Sequence, residues 1–182
     1  MAKALILIDI QNDYFDGGSM QLVGMGRAAA NAEKLLQAAR ERGVPRYHVQ
    51  HISARPDATF FVTGTEGVEI NASVAPLGDE ALVQKNFPNA FRDTALHQQL
   101  KDAGVDELLI CGAMTHMCID ATTRAAFDLG YRCMLAEDAC ATRDLQFAQR
   151  TLPARDVHDS FMAALSAPYA RVMSTSDCLK EI

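Results

Sequence analysis

Short apolar runs alternate with longer stretches of helical periodicity along most of the chain. The helical stretches cover residues 25–43, 93–104, 118–130 and 156–170. Alternation of this kind is typical of β-α-β units, and the apolar runs are nearly continuous, as in strands buried on both faces. The sequence therefore predicts an α/β fold: a doubly wound, mainly parallel six-stranded sheet with helices on both faces, a Rossmann-like three-layer sandwich. The six predicted strands are 4–10, 47–52, 81–85, 108–112, 132–136 and 171–174.

Composition limits the size of the fold and its partners. A chain of 182 residues with 49% hydrophobic residues can form one substantial core, so we predict a single domain over 1–182. The net charge of −6 argues against nucleic acid and anionic membranes as partners. The apolar run that follows "MAK" is too short to span a bilayer and lacks a signal-peptide cleavage site. We expect a cytoplasmic protein.

One of the five cysteines occupies an unusual position. The cysteines are odd in number and form no C-x-x-C pair, which fits a reducing compartment and argues against a disulfide framework. Cys111 and Cys133 lie inside apolar runs and are expected to be buried packing residues. Cys118 falls where a predicted strand gives way to a helix. A helix N-terminus can stabilise a thiolate through its free N–H groups and dipole.

Three reactive side chains follow predicted strands at the edge where α/β sheets bind ligands. Asp9 lies near the end of the first strand, Lys85 closes the third, and Cys118 follows the fourth by one short loop. A carboxylate can accept the thiol proton while an ammonium group stabilises the resulting anion. Backbone N–H groups of the loop before Cys118 could hold an oxyanion. If the strands are neighbours, the three side chains predict a cysteine nucleophile with its base.

Three motifs resemble the isochorismatase-like cysteine hydrolases, the superfamily that includes nicotinamidases and N-carbamoylsarcosine amidohydrolases. They are "LILIDIQNDYFDGG", "QKNFPNAFRDTALHQQL" and "LLICGAMTHMCIDATTRAAFDLGY", and the resemblance covers essentially the whole chain. It implies an Asp9-Lys85-Cys118 triad, a cis Ala113–Met114 bond, and an oxyanion hole formed by the amides of Met114 and Cys118. It also implies no cofactor, a small-molecule substrate and a homodimer or homotetramer.

The histidines depart from the pattern of the metal-containing nicotinamidases, which have an Asp-x-His after the second strand. His48 and His51 stand there instead, three apart on a strand and so on opposite faces, which predicts no metal site. His158 lies in an amphipathic helix and is expected at the surface. We expect the substrate pocket to be lined by Gln11, Phe15, Phe61, Thr115 and His116.

The long connection 53–80 is rich in Gly, Pro and Thr and has no clear helical pattern. Its paired phenylalanines, Phe60 and Phe61, predict an ordered loop that covers part of a site. The cysteine nucleophile favours amide-type C–N cleavage through a thioester, because bacterial isochorismatases, which cleave a vinyl ether, often lack that cysteine. Two alternatives stay open: vinyl-ether hydrolysis with Asp9 as general acid, and a non-catalytic binding module.

Overall fold

The computed structural model describes residues 2–182. Six strands form one parallel sheet in the order β3-β2-β1-β4-β5-β8. They are β1 Ala2–Ile8, β2 Arg46–His51, β3 Ala81–Lys85, β4 Val105–Ala113, β5 Arg132–Ala141 and β8 Arg171–Met173, and a separate antiparallel hairpin consists of β6 Leu145–Phe147 and β7 Arg150–Leu152. The helices are α1 Met25–Glu41, α2 Leu96–Asp102, α3 Asp120–Asp128, α4 Ala154–Leu165 and α5 Thr175–Glu181. The predicted α/β sandwich is confirmed.

Helices cover both faces of the sheet because the side chains of each strand alternate in direction. Leu5 and Leu7 of β1 join the core beneath α1 and α5. Ile6 and Ile8 of the same strand join the core beneath α2, α3 and α4. All four are at most 2% exposed, and each contributes roughly 1.5–3 kcal/mol through burial.

The strand order reverses between β1 and β4, which are hydrogen-bonded neighbours although far apart in sequence. Chains leaving the two strands there diverge to opposite faces, and the carboxyl ends border a crevice where α/β folds bind ligands. Gly112 lies at this point with φ of +125°. A Cβ there would approach the Ile8 carbonyl oxygen to 2.0 Å, so only glycine allows β4 and β1 to come this close.

Several predicted bounds were wrong. β5 continues to Ala141 although Glu137 and Asp138 interrupt its apolar run, because pairing with β4 resumes after a register shift. The β6–β7 hairpin and α5 had no clear sequence signal, since all three are short. The 53–80 connection contains two single-turn 3-10 helices, Glu66–Val68 and Ala72–Val74. Within residues 2–182, no helix combines the length and the apolar character needed to cross a membrane.

Candidate active site

Asp9, Lys85 and Cys118 meet at the carboxyl edge of the sheet. The Lys85 Nζ lies 2.8 Å from Asp9 Oδ2 and 3.3 Å from Cys118 Sγ. All three residues are buried. The sequence prediction that these side chains converge is therefore matched by the geometry, and the ammonium group links the carboxylate to the sulfur.

Each side chain is positioned by a different element. Asp9 follows β1 with φ of +51°, and its amide donates to the Val49 carbonyl oxygen of β2 at 3.0 Å. Lys85 is the last residue of β3, so its long side chain must cross the neighbouring β2 to reach Asp9. Cys118 lies in a π-helical turn, Thr115–Ile119, which leads into α3.

His51 is a fourth member of this cluster. It ends β2 opposite Lys85, and its Nδ1 lies 2.8 Å from the Lys85 Nζ. Burial, followed by the charge of Lys85, lowers the pKa of His51 to about 4. The imidazole is therefore neutral near pH 7 and accepts a hydrogen bond from the ammonium group. The three protons of Lys85 thus have three acceptors: Asp9, His51 and Cys118.

The charges in the cluster favour a protonated thiol beside an ammonium group. Burial lowers the pKa of Lys85, but the carboxylate of Asp9 and the sulfur of Cys118 together raise it above its usual value. Burial also raises the pKa of the Cys118 thiol, and Asp9 raises it further while Lys85 opposes this. The position of Cys118 beside a helix N-terminus therefore does not bring the pKa of its thiol below the usual value, because burial and Asp9 raise it.

The second oxygen of Asp9 is free to accept a proton. Asp9 Oδ1 is buried and has no hydrogen-bond partner among residues 2–182. A carboxylate oxygen of Asp9, a ring nitrogen of His51 and Cys118 Sγ all lie within 4.8 Å of one another. An unpaired buried carboxylate oxygen is costly. Because Asp9 Oδ1 lies next to the Cys118 thiol, it can accept the thiol proton.

The turn that carries Cys118 begins at a cis peptide bond between Ala113 and Met114, as the resemblance implied. The Met114 carbonyl oxygen accepts from the amides of Met117 at 3.0 Å and Ile119 at 3.2 Å. These bonds fix the path of the backbone around the cysteine. The assignment of the Met114 and Cys118 amides to an oxyanion hole stays a prediction.

Aromatic rings from two segments pack beside the cluster. The Phe61 ring centroid lies 4.7 Å from that of Tyr14 and 5.7 Å from that of His51. The Phe61 amide donates to Asp13 Oδ2 at 2.6 Å, which ties the 53–80 connection to the segment after β1. Phe15 is partly buried against the same core. The connection therefore covers the cluster, as predicted.

The remaining predicted pocket residues are bonded within the fold. Gln11 donates to the carbonyl oxygens of His51 and Val68 and accepts from the His51 amide, so it holds β2 against the long connection. Thr115 is buried, and its hydroxyl group lies 3.0 Å from His158 Nδ1. His116 Nδ1 lies 2.6 Å from Thr142 Oγ1. The polar groups of Gln11 and Thr115 are thus bonded to neighbouring segments, and the assignment of both residues to the substrate pocket stays a prediction.

The prediction for His158 is corrected. Its side chain is 19% exposed and bonds Thr115, so the prediction of a surface residue was wrong. The amphipathic pattern of α4 identified the helix but not the direction of this one side chain.

The spacing of Asp9, His51 and Cys118 would suit a metal ion. However, the Lys85 ammonium group already donates to all three side chains. A metal ion at the same place would have to displace a buried cation of equal sign, so these residues do not fit a resident metal.

Comparison with known proteins identifies the family. The Isochorismatase domain matches residues 3–177. The chain belongs to the isochorismatase family. It is 51% identical over 180 residues to the uncharacterized isochorismatase family protein YddQ of Bacillus subtilis, covering 99% of this chain and 100% of YddQ.

Other isochorismatase-family proteins share the fold or the sequence. The crystal structure of an Oleispira antarctica protein assigned to the isochorismatase hydrolases has a TM-score of 0.95 and 50% identity, covering 98% of this chain and 96% of that one. Streptothricin hydrolase of Streptomyces noursei is 34% identical over 91% of this chain and 56% of its own length. More distant relatives include Nicotinamidase 3 of Arabidopsis thaliana at 28% and ureidoacrylate amidohydrolase RutB of Variovorax paradoxus at 26%. This chain is an isochorismatase-family hydrolase.

Sequence reasoning missed His51 as part of this isochorismatase-family site. The spacing of His48 and His51 addresses only a shared metal site, and in the structure the two side chains contact different groups, Glu80 and Lys85. The sequence does contain an indication of this role, because His51 ends β2 at the same edge of the sheet as Asp9 and Lys85. The long reach of Lys85 across β2, which brings it to His51, was not evident from the sequence.

Proposed function

We propose that the protein hydrolyses an amide-type C–N bond of a small molecule through a thioester on Cys118. One observation carries this proposal: the Lys85 ammonium group bridges Asp9 Oδ2 and Cys118 Sγ while Asp9 Oδ1 has no partner. A thiol with an adjacent proton acceptor is the arrangement that nucleophilic acyl transfer uses, and the ammonium group can stabilise negative charge on either partner.

In the first step, Asp9 takes the thiol proton as Sγ attacks the substrate carbonyl carbon. Proton transfer must accompany attack because burial keeps the Cys118 pKa high. Lys85 faces both groups and stabilises negative charge whether it lies on sulfur or on the carboxylate. The amides of Met114 and Cys118 are proposed to bind the carbonyl oxygen, and a single donor of this kind contributes roughly 3–4 kcal/mol.

In the second step, the tetrahedral intermediate collapses, the C–N bond breaks, and protonated Asp9 gives its proton to the departing nitrogen. A water molecule then attacks the thioester while Asp9 accepts one of its protons. The C–S bond breaks, the acid product leaves, and the proton returns to sulfur. No cofactor enters this sequence, and Asp9 alternates between base and acid.

The names of two relatives support an amide substrate. A nicotinamidase and an ureidoacrylate amidohydrolase lie among the matches. We also propose a cytoplasmic homodimer or homotetramer, in line with the resemblance described above.

A panel of small amides tests the proposal, with ammonia release and intact mass as readouts. We expect ammonia from the wild-type protein and an acyl adduct that maps to Cys118. Cys118→Ser should lose thioester formation, whereas Cys133→Ser, a matched change at a buried thiol elsewhere, should behave as wild type. Near-normal amide turnover by Cys118→Ser would overturn the thioester mechanism.

An enol-pyruvyl ether substrate tests the vinyl-ether alternative in the same assay. Our proposal expects no turnover of the ether by either protein. Equal turnover by wild type and Cys118→Ser would identify Asp9 as a general acid with a bystander thiol. No ammonia from any amide, together with no acyl adduct on Cys118, would favour a binding module.

A further inference from the structure

His51 is the part of the reactive cluster that solvent reaches. Asp9, Lys85 and Cys118 are at most 4% exposed. His51, the last residue of β2, is only partly buried. A ring nitrogen of His51 lies within 4.8 Å of Cys118 Sγ. A molecule that approaches the thiol from solvent therefore meets the imidazole ring.

The hydrogen bond with Lys85 decides which ring nitrogen of His51 carries the proton. The Lys85 Nζ lies 2.8 Å from Nδ1, and an ammonium group can only donate. Nδ1 must therefore be the acceptor, so the neutral ring carries its proton on Nε2. The low pKa of His51, about 4, keeps a second proton off the ring near pH 7.

The Nε2–H group of His51 has no hydrogen-bond partner within residues 2–182. The bond to Lys85 occupies Nδ1, at the other position of the ring. The buried side-chain nitrogens and oxygens that lack a partner in the same range all belong to other residues, so the unpaired Nε2 is open to solvent. It is a free hydrogen-bond donor beside the reactive thiol.

Contacts on three sides hold the ring of His51 in place. Gln11 holds its backbone by donating to the His51 carbonyl oxygen at 2.9 Å and accepting from the amide at 2.8 Å. Lys85 holds Nδ1, and the Phe61 ring lies beside the imidazole with the two centroids 5.7 Å apart. A donor whose direction is fixed before binding loses little conformational entropy when a ligand bonds to it. The Nε2–H group is therefore preorganised for an acceptor from outside the chain.

The three groups on the scissile carbon indicate which part of a substrate meets His51. The carbonyl oxygen is assigned to the amides of the turn that carries Cys118, and the departing nitrogen must face Asp9, which returns the proton to it. The third group is the acyl substituent, and His51 is the remaining member of the cluster with a free donor. Lys85 cannot take this role, because each of its protons already has an acceptor.

We propose that the Nε2–H group of His51 donates a hydrogen bond to an uncharged oxygen in the acyl substituent of the substrate, so that His51 selects amides with an ether or a second carbonyl oxygen. The proposal rests on the proposed function for the reaction itself. An uncharged acceptor is favoured over a carboxylate because the cluster already contains the unpaired carboxylate oxygen of Asp9. The charge of Lys85 is balanced by Asp9 at 2.8 Å, and like charges in one site repel each other.

NMR spectroscopy tests the hydrogen bonding of His51 without turnover. In protein labelled with ¹⁵N-histidine, we expect Nε2 of His51 to be protonated and Nδ1 unprotonated at neutral pH, with its signals identified by their absence from His51→Asn. In Cys118→Ala, which lacks the nucleophile, methoxyacetamide should shift the Nε2 signal. Butyramide, which has a methylene group in place of the ether oxygen, should shift it less. The signals of His97, whose ring contacts Tyr131, should respond to neither amide.

Turnover provides the second arm. Wild type should favour methoxyacetamide over butyramide about fivefold in kcat/KM, the value of one uncharged hydrogen bond. His51→Asn has a carbonyl oxygen in place of Nδ1 but no group in place of Nε2, so it should bring this ratio close to one, mainly through KM. His51→Gln, with an amide nitrogen in place of Nε2, should keep part of the preference. His97→Asn, outside the cluster, should leave the ratio unchanged.

Either arm can overturn the proposal. A ring that carries its proton on Nδ1, an Nε2 signal that responds equally to both amides, or a substrate ratio that His51→Asn leaves at the wild-type value would each do so. Hydrolysis of both amides by wild type without preference would reject the role of His51 and keep the proposed function. An Nε2 signal that methoxyacetamide shifts, in a protein that hydrolyses no amide, would reject the proposed function and keep the binding site.

Discussion

Two buried charge clusters lie at opposite ends of β2 and β3. The Cys118 cluster (Asp9, His51, Lys85, Cys118) is at the carboxyl ends. The Glu80 cluster (Arg40, Arg46, His48, Glu80) is at the amino ends, where Glu80 precedes β3 and Arg46 begins β2. Each combines a buried carboxylate, a histidine and at least one cation.

The Glu80 cluster satisfies its carboxylate completely. Arg40 donates to both oxygens at 2.8 Å, Arg46 donates to Oε1 at 3.1 Å, and His48 Nε2 lies 2.9 Å from Oε2. The Leu77 amide also donates to Oε2. Chiefly through Arg40, these bonds lower the pKa of Glu80 to about 2. The cluster joins α1, β2 and the end of the 53–80 connection.

The Cys118 cluster leaves one oxygen of its carboxylate unpaired. A buried carboxylate whose two oxygens both accept hydrogen bonds stabilises the fold and does not readily bind a proton. A buried carboxylate with one free oxygen beside a thiol can accept the thiol proton. The difference between the clusters is therefore the number of donors facing the carboxylate, and four changes test this difference.

The largest effect is expected from removing the ion pair of the Cys118 cluster. The double variant Asp9→Asn with Lys85→Met should lose about 10⁴-fold or more in kcat/KM, because the base and the fixed cation both disappear. Its free energy of unfolding should be close to that of wild type, since the cost of burying two charges is removed together with their mutual attraction. Amide turnover and chemical denaturation measure the two quantities.

Lys85→Met alone is the control for the double variant. It leaves the Asp9 carboxylate buried without its cation and should be less stable than the double variant. If the double variant proves as unstable as Lys85→Met, the ion pair stabilises the fold. The Cys118 cluster would then not differ from the Glu80 cluster in its role.

Glu80→Gln should show the opposite behaviour. Removing the charge leaves Arg40 and Arg46 without their common partner, which should cost about 3 kcal/mol in the free energy of unfolding. Turnover at 25 °C should stay within about twofold of wild type, because the change is at the far end of the strands. Glu107→Gln, whose partner Lys3 lies 3.7 Å away near the surface, should cost under about 1 kcal/mol.

Acid should weaken both clusters in two successive ranges of pH. Burial lowers the pKa of His48, and that of His51 falls to about 4, whereas an unfolded histidine titrates near 6.5. The unfolded chain then binds more protons, so stability falls as pH drops from about 6.5 to 4, by about 2–3 kcal/mol for His51. Glu80 adds a further loss between about pH 4 and 2.

Denaturation at a series of pH values measures this loss. His51→Asn should reduce the slope between pH 6.5 and 4, and His97→Asn, outside both clusters, should not. If the unfolding free energy of His51→Asn falls with pH as steeply as that of wild type, His51 is not held neutral in the folded protein.

The smallest effect separates the two arginines of the Glu80 cluster. Arg40 makes two bonds to Glu80 and one to the Ala75 carbonyl oxygen, whereas Arg46 makes one bond to Glu80. Arg40→Gln should cost about 2 kcal/mol in unfolding free energy and Arg46→Gln about 1 kcal/mol. Equal losses would indicate that charge alone, rather than the number of hydrogen bonds, holds the carboxylate.

Much of the fold and part of the site could be predicted from local sequence patterns. Apolar runs and helical periodicity identified the six-stranded sheet and its covering helices, because burial selects residue types with the period of each element. The same patterns missed β6, β7 and α5, which have too few residues for a period to emerge. Asp9, Lys85 and Cys118 were found because reactive residues at strand ends share one edge of a parallel sheet.

The sequence by itself determined the sheet, the family and the three residues of the proposed nucleophilic site, since each depends on residue type and order along the chain. Only the tertiary structure decided that His51 contacts Lys85, and that donors fill both carboxylate oxygens of Glu80 but only one of Asp9. Hydrogen-bond satisfaction is a property of positions in space. It depends on how many donors and acceptors from distant segments reach one atom, and neither spacing nor composition records that number.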